Sequence, residues 1–124
     1  MEANKTFPKD FEPPYKPGTQ TNVVEVTKTT KAGEYVRVYD NTNSTQAGGW
    51  VMKADDIKGL TPQQIQNKYA LPTTPTHVTD VGFKAGDQLR TGVSNSAFGF
   101  EGGGIQFDTM GQKIGSFTNG RPLQ

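Results

Sequence analysis

Apolar positions fall along the chain in short alternating runs, interrupted by turn residues at close intervals. Residues 22–30 (NVVEVTKTT) are β-branched and partly alternating, and residues 34–40 (EYVRVYD) set Tyr35, Arg37 and Tyr39 against Val36 and Val38. Period-two alternation of this kind predicts half-buried strands, and Ala32-Gly33 between the two runs predicts a hairpin. A polar loop, NTNSTQAGG, then leads into a short third strand at Gly49–Met52. From His77 onward THVTDVGF, QLRTGV, GGGIQFDTM and KIGSF repeat the strand-and-turn pattern, with glycine at the turns. Only one stretch reads as a helix. Thr61-Pro62-Gln63-Gln64 offers a Thr N-cap, Pro at the first helical position and Gln three residues after the cap. Ile65 and Tyr69 share one face, and Leu71-Pro72 closes the segment after about two turns, because the residue before Pro avoids helical geometry. The fold class expected is α+β: a small antiparallel sheet or partial barrel with one or two short helices.

Composition narrows the picture. The chain has 124 residues, 31% of them hydrophobic, with 15 Gly, 8 Pro and no Cys. A core of that kind is small and leans on its 7 Phe, 4 Tyr and single Trp. Absence of Cys excludes disulfides, thiol catalysis and Cys-ligated zinc, and a lone His77 excludes multi-His metal sites. No apolar run approaches the ~20 residues that span a bilayer, and nothing at the start resembles a signal peptide. The opening Met-Glu-Ala reads as that of an excised piece. Residues 1–22 hold four prolines and scattered charge, which predicts an extended arm or linker ahead of a single domain at 23–124. That arm is either disordered or packs Phe7, Phe11 and Tyr15 on the body. Basic and acidic residues number 13 and 12, and they spread evenly as 8 and 8 over residues 1–62 and 5 and 4 over the rest. A nucleic-acid substrate would therefore need local clustering or a partner that presents it.

Candidate chemistry concentrates in the second half. His77 is the one side chain whose unperturbed pKa lies near 7. Arg90-Thr91 ends a strand before Ser94-Asn95-Ser96, a cation beside hydroxyls of the kind that a phosphate requires. Gly102-Gly103-Gly104 precedes Gln106, and three glycines let a backbone or a ligand approach closely. No Lys-Ser/Thr or helix follows them, so they are not a P-loop. The carboxylates Asp80, Asp87, Glu101 and Asp108 form no recognisable spaced pair, and no metal-ligand cluster is evident. Each of these residues also has a purely structural reading.

The strings GLTPQQIQNKYALPTTPTHVTDV, KAGDQLRTGVSN, FGFEGGGIQFD and FTNGRPL, over about residues 59–122, resemble the C-terminal toxin regions of contact-dependent growth inhibition (CdiA-type) and related polymorphic bacterial exoproteins. The resemblance implies an antibacterial effector carried by a secreted or cell-surface exoprotein. Such an effector acts in the cytoplasm of the target bacterium and is neutralised in its producer by an immunity protein. Many such toxins are ribonucleases that cut tRNA, some with elongation factor Tu presenting it. The residues suit metal-independent transesterification by the ribose 2′-OH, with no cofactor. His77 would serve as acid or base and Arg90 as the cation. Thr91, Ser94 and the Gly102, Gly103 and Gly104 amides would orient phosphate, and Gln106 would position substrate. Lys68, Tyr69, Glu101 and Asp108 are candidates for the complementary group. The order ALP, then V, then GGGIQF also resembles the NAD-glycohydrolase toxins of the tuberculosis-necrotizing-toxin type. In those a Gln after a Gly-rich turn lies at the nicotinamide–ribose site, where Gln106 matches. That family's Arg before Leu-Pro is replaced here by Lys68-Tyr69-Ala70. A third possibility is a non-enzymatic module that docks a receptor or immunity protein through its Pro-rich arm.

Overall fold

The computed structural model describes Tyr15 and residues 21–31, 33–42, 44–97, 99–110, 112 and 114–123. Seven strands form one antiparallel sheet: β1 (Asn22–Glu25), β2 (Tyr35–Tyr39), β3 (Trp50–Lys53), β4 (His77–Gly82), β5 (Gln88–Val93), β6 (Ile105–Asp108) and β7 (Ser116–Pro122). One helix, α1 (Pro62–Tyr69), and a 3₁₀ turn at Ala54–Asp56 complete the described elements, an α+β architecture. Strand order across the sheet is β1-β5-β6-β3-β2-β4-β7.

Helix α1 begins and ends where the local chemistry requires. Thr61 Oγ1 accepts from Gln64 N at 3.1 Å while Thr61 N donates to Gln64 Oε1 at 2.8 Å, so two orphan donors of the first turn are satisfied reciprocally. Ala70 adopts a left-handed conformation at φ 51, and Leu71 N returns to Gln66 O at 3.0 Å. Ile65, fully buried, and Tyr69 carry the helix onto Val36, Val38, Met52 and Val78. Burying one such aliphatic side chain contributes about 1.5–3 kcal/mol. On the far face of the sheet Tyr35 stands edge-on to Phe83 and Phe107, each at 5.4 Å between ring centroids. Val26, Val51, Val81 and Leu89 fill in around them.

Two features depart from the sequence reading. The turn at Gly33 forms, with φ +81 and Glu34 N donating to Lys31 O at 3.1 Å, yet the strands it joins do not pair. Instead β1 lies against β5 at one edge, with Val23 opposite Arg90, and β2 lies between β3 and β4. The segment after β1 explains this. Val26 N donates to Asp87 O at 2.8 Å and Phe83 N to Thr30 Oγ1 at 2.9 Å, so residues 26–30 run along the β4–β5 turn. The second feature is a split. Met52 and Lys53 pair with β2, whereas Trp50 and Val51 pair with β6, so β3 joins two half-sheets by opposite ends. Of the N-terminal arm, Tyr15 is fully buried against the body, and Phe7 and Phe11 lie outside the described residues.

Candidate functional site

Directly paired residues share a face of a sheet, so the ladders place side chains without further assumption. Pairs Arg90↔Asp108, Gly92↔Gln106 and Trp50↔Asp108 put these groups on the face that also carries α1. There Arg90 and Asp108 form a two-pronged ion pair, Nε to Oδ1 at 2.9 Å and Nη2 to Oδ2 at 3.0 Å, with both residues under 10% exposed. Tyr15 hydroxyl donates to Asp108 Oδ1 at 2.5 Å, and Met110 N donates to Oδ2 at 3.0 Å. The Tyr15 ring lies 5.9 Å from the Arg90 guanidinium and 5.8 Å from Trp50. Gly92 makes room for it: a Cβ there would sit 2.8 Å from both Tyr15 Cδ1 and Thr21 Cγ2. Hydrogen bonding to Asp108 raises the Arg90 pKa against the opposing effect of burial. Burial, and then the Asp108 carboxylate, pushes the Tyr15 phenol well above its ordinary range, so it stays a donor.

Gln106 is buried beside this network, one position along β6 from Phe107 and two from Asp108. Thr91 Oγ1 donates to the Gln106 carbonyl at 3.0 Å. The glycine string ahead of Gln106 docks on the end of α1. Gly102 N donates to Asn67 O at 2.8 Å, Gly104 N to Lys68 O at 2.9 Å and Gly103 N to Ser94 O at 2.9 Å. Helix-end carbonyls that α1 cannot satisfy itself are met by this loop. Closeness requires glycine: a Cβ on Gly102, at φ +72, would sit 2.5 Å from Asn95 O, and one on Gly104 2.8 Å from the Tyr69 ring. These amides are therefore committed to protein carbonyls, which differs from the expectation that they orient a phosphate.

The sequence-derived candidates divide unevenly. Arg90, Thr91, Ser94, Gly102, Gly103, Gly104 and Gln106 gather on the β5–β6 pair, and Lys68 joins them through Gly104. Lys68 Nζ donates to Asp56 O at 2.6 Å, tying it to the 3₁₀ turn. His77 stands apart. Strands β6, β3 and β2 lie between β5 and β4, four ladder steps or on the order of 19 Å along the sheet. Its ring stacks on Tyr39 at 5.4 Å and its Nδ1 meets Thr76 Oγ1 at 2.7 Å. The expected pairing of His77 with Arg90 thus fails on strand order, and Arg90's forked donors are already taken by Asp108. Two buried hydroxyls near Gly104, those of Ser94 and Tyr69, have no hydrogen-bond partner. Tyr15, expected only as one residue of an arm that is either disordered or packed on the body, and Trp50, which no motif singled out, enter the site from other elements.

No protein-family model matches the chain, and no curated protein does. A solved structure of Tne2 in complex with Tni2 matches it with a TM-score of 0.67 at 17% identity, over 88% of this chain and 97% of that one. The two share a fold. With nearly all of the Tne2-matching chain covered, the likeness is one of whole architecture, sheet and helix together. At 17% identity the likeness to Tne2 speaks for fold alone.

Proposed function

We propose that the chain is the toxin domain of a bacterial exoprotein and hydrolyses the N-glycosidic bond of NAD(P)+, releasing nicotinamide and ADP-ribose, or ADP-ribose 2′-phosphate from NADP+. The observation that carries this reading is the placement of Gln106. It lies buried beside Arg90–Asp108, after a glycine string that docks on α1, and it matches the Gln of the glycohydrolase toxins that the sequence resembles. The chemistry suits a site of this composition. Nicotinamide leaves as a neutral ring, because the C1′–N1 electron pair quenches its pyridinium charge. No acid has to deliver a proton, so a pKa near 7 is not needed at the reacting centre. Water then adds to the oxocarbenium-like C1′ and loses its proton. An amide such as that of Gln106 can orient ribose hydroxyls and this water by accepting and donating at once. Transesterification of RNA, by contrast, demands an acid, a base and a cation around one phosphate. Here His77 is remote and Arg90 is neutralised.

Tne2 was solved in complex with Tni2, and the same arrangement is proposed here: a cognate immunity protein in the producing cell, and activity in the cytoplasm of the target. NAD(P)+ is substrate, and no cofactor is required. The test is to incubate the purified domain with NAD+, NADP+ and, separately, total tRNA with and without elongation factor Tu. Nicotinamide release with tRNA intact, lowered at least about a hundredfold in Gln106→Ala, is expected. Cleaved tRNA with NAD+ preserved, lost in His77→Ala, would overturn the proposal and restore the nuclease.

A further inference from the structure

Alternation from the Gly92↔Gln106 pair carries Ser94 and Gly104 onto the face of Gln106, two residues farther along each strand. Ser94 N donates to Gly104 O at 2.8 Å and keeps the two chains in step there. Burial follows the same alternation: Arg90, Gly92 and Ser94 are buried, whereas Thr91 and Val93 are half-buried. From α1 the Tyr69 ring closes over Gly104, where a Cβ would meet its Cε1 at 2.8 Å. Two hydroxyls thus border this end of the face, Ser94 Oγ on a residue 1% exposed and Tyr69 Oη on one 4% exposed. Among the described residues neither oxygen has a hydrogen-bond partner, and neither is open to solvent. Native chains keep few such groups, because each is a standing loss of stability that Ala or Phe would remove. Burial raises the Tyr69 phenol above its ordinary pKa, so it stays a neutral hydroxyl, donor as well as acceptor. Three neutral hydrogen-bonding side chains, Ser94, Tyr69 and Gln106, therefore share this end of the face. The Lys68 cation is not one of them: its methylenes lie over Gly104 while its ammonium turns to Asp56 O at 2.6 Å. A phosphate would call for a cation here. Hydroxyls and an amide suit a neutral group that donates and accepts at once.

We propose that the Ser94 and Tyr69 hydroxyls, beside Gln106, are the subsite for the carboxamide of the nicotinamide group. The choice of ligand rests on the glycohydrolase reading; the subsite itself rests on two buried hydroxyls without partners. A carboxamide presents one carbonyl and two N–H groups, and a hydroxyl turns its proton to meet either kind. Hydrogen bonds that the protein does not make within itself are then made to substrate. Holding the carboxamide fixes the rotation of the pyridinium ring about its bond to C1′, and Gln106, two residues from Gly104, is left to the ribose and the water. A site whose buried hydroxyls need partners also rejects a ring that lacks the amide. The flexible Lys68 stem, half-buried over Gly104, yields to admit the ring.

The test titrates nicotinamide, and separately pyridine, into the wild-type domain at neutral pH and follows amide NMR shifts. Nicotinamide should bind at least about fivefold more tightly than pyridine, with shifts centred on Ser94, Gly104 and Gln106. Ser94→Ala and Tyr69→Phe should each weaken nicotinamide about three- to tenfold and leave pyridine unchanged. In the same variants the urea midpoint should hold or rise, since each removes an unpaired buried polar group. A purely structural hydroxyl gives the opposite pair of results, a lower midpoint and an unchanged preference for nicotinamide over pyridine. Equal binding of the two probes, no binding of nicotinamide, shifts centred elsewhere, or variants that keep the wild-type preference would each overturn the subsite. Nicotinamide bound through Ser94 and Tyr69 without any NAD+ cleavage would sink the glycohydrolase reading and leave the subsite standing. NAD+ cleaved with kcat/KM unchanged in both variants would do the reverse.

Discussion

Two side chains from distant stretches, Tyr15 and Arg90, converge on the Asp108 carboxylate, and the mutual dependence of the three is measurable. Asp108→Asn removes the carboxylate paired with Arg90, a residue that is 7% exposed. Leaving a buried charge uncompensated costs about 3–5 kcal/mol, whereas replacing both partners by apolar residues of similar volume costs less. Urea unfolding of Asp108→Asn beside the double variant Arg90→Met/Asp108→Leu should therefore show the single change as the more damaging. The reverse order would mean that the pair is not sealed from water. Tyr69 offers the opposite case. Its hydroxyl is buried without a partner, so Tyr69→Phe should leave stability unchanged or raise it by about 1 kcal/mol in the same measurement. At this scale the sequence marked Arg90, Ser94 and Gln106 but was silent on their partners. That Asp108 meets the Arg90 charge while the Ser94 hydroxyl goes unmet follows only from the assembled β5–β6 pair.

Helix α1 was legible because everything that defines it is local. Cap, box and stop lie within eleven residues of one another, and the structure places the helix at Pro62–Tyr69 with the capping box made. Thr61→Ala removes the acceptor for Gln64 N and should cost about 1 kcal/mol, read as a fall in the urea midpoint. The glycine string was legible as unusual but not as to purpose, because its contacts lie over thirty residues away on Asn67 and Lys68. Its demand for glycine now has a physical source. Gly102→Ala meets backbone oxygen at 2.5 Å in a left-handed conformation, where nothing can yield. Gly104→Ala meets the Lys68 stem and the Tyr69 ring at 2.8 Å and backbone only at 3.0 Å, on Lys68 O, and it does so at an ordinary φ. Gly102→Ala should thus be the more destabilising by at least about 1 kcal/mol.

For the molecule as a whole, strand positions could be read from alternation, but strand order could not. Nothing within NVVEVTKTT states that its partner is β5 rather than the neighbouring β2, and that choice fixes which residues meet. Separation of His77 from Arg90 follows from the same order, which no local pattern encodes. One global property does follow from the assembled structure. Burial raises the pKa of both Tyr15 and Tyr69, with Asp108 adding to the first and Asp56 to the second. A raised folded-state pKa means that the native chain holds protons that the unfolded chain releases above about pH 10. Stability from these phenols is complete below that value and declines as pH rises beyond it, by up to about 1.4 kcal/mol per pH unit for each. Lysines titrate in the same window, so the comparison with Tyr15→Phe isolates the effect. That variant forgoes the bond to Asp108 and should be less stable at neutral pH by about 1–3 kcal/mol. Its decline above pH 10 should be shallower, so that the two curves converge with rising pH. Parallel curves from pH 8 to 11 would show that Tyr15 ionises as freely in the native state as in the unfolded one, and that the arm does not seal the Arg90–Asp108 pair.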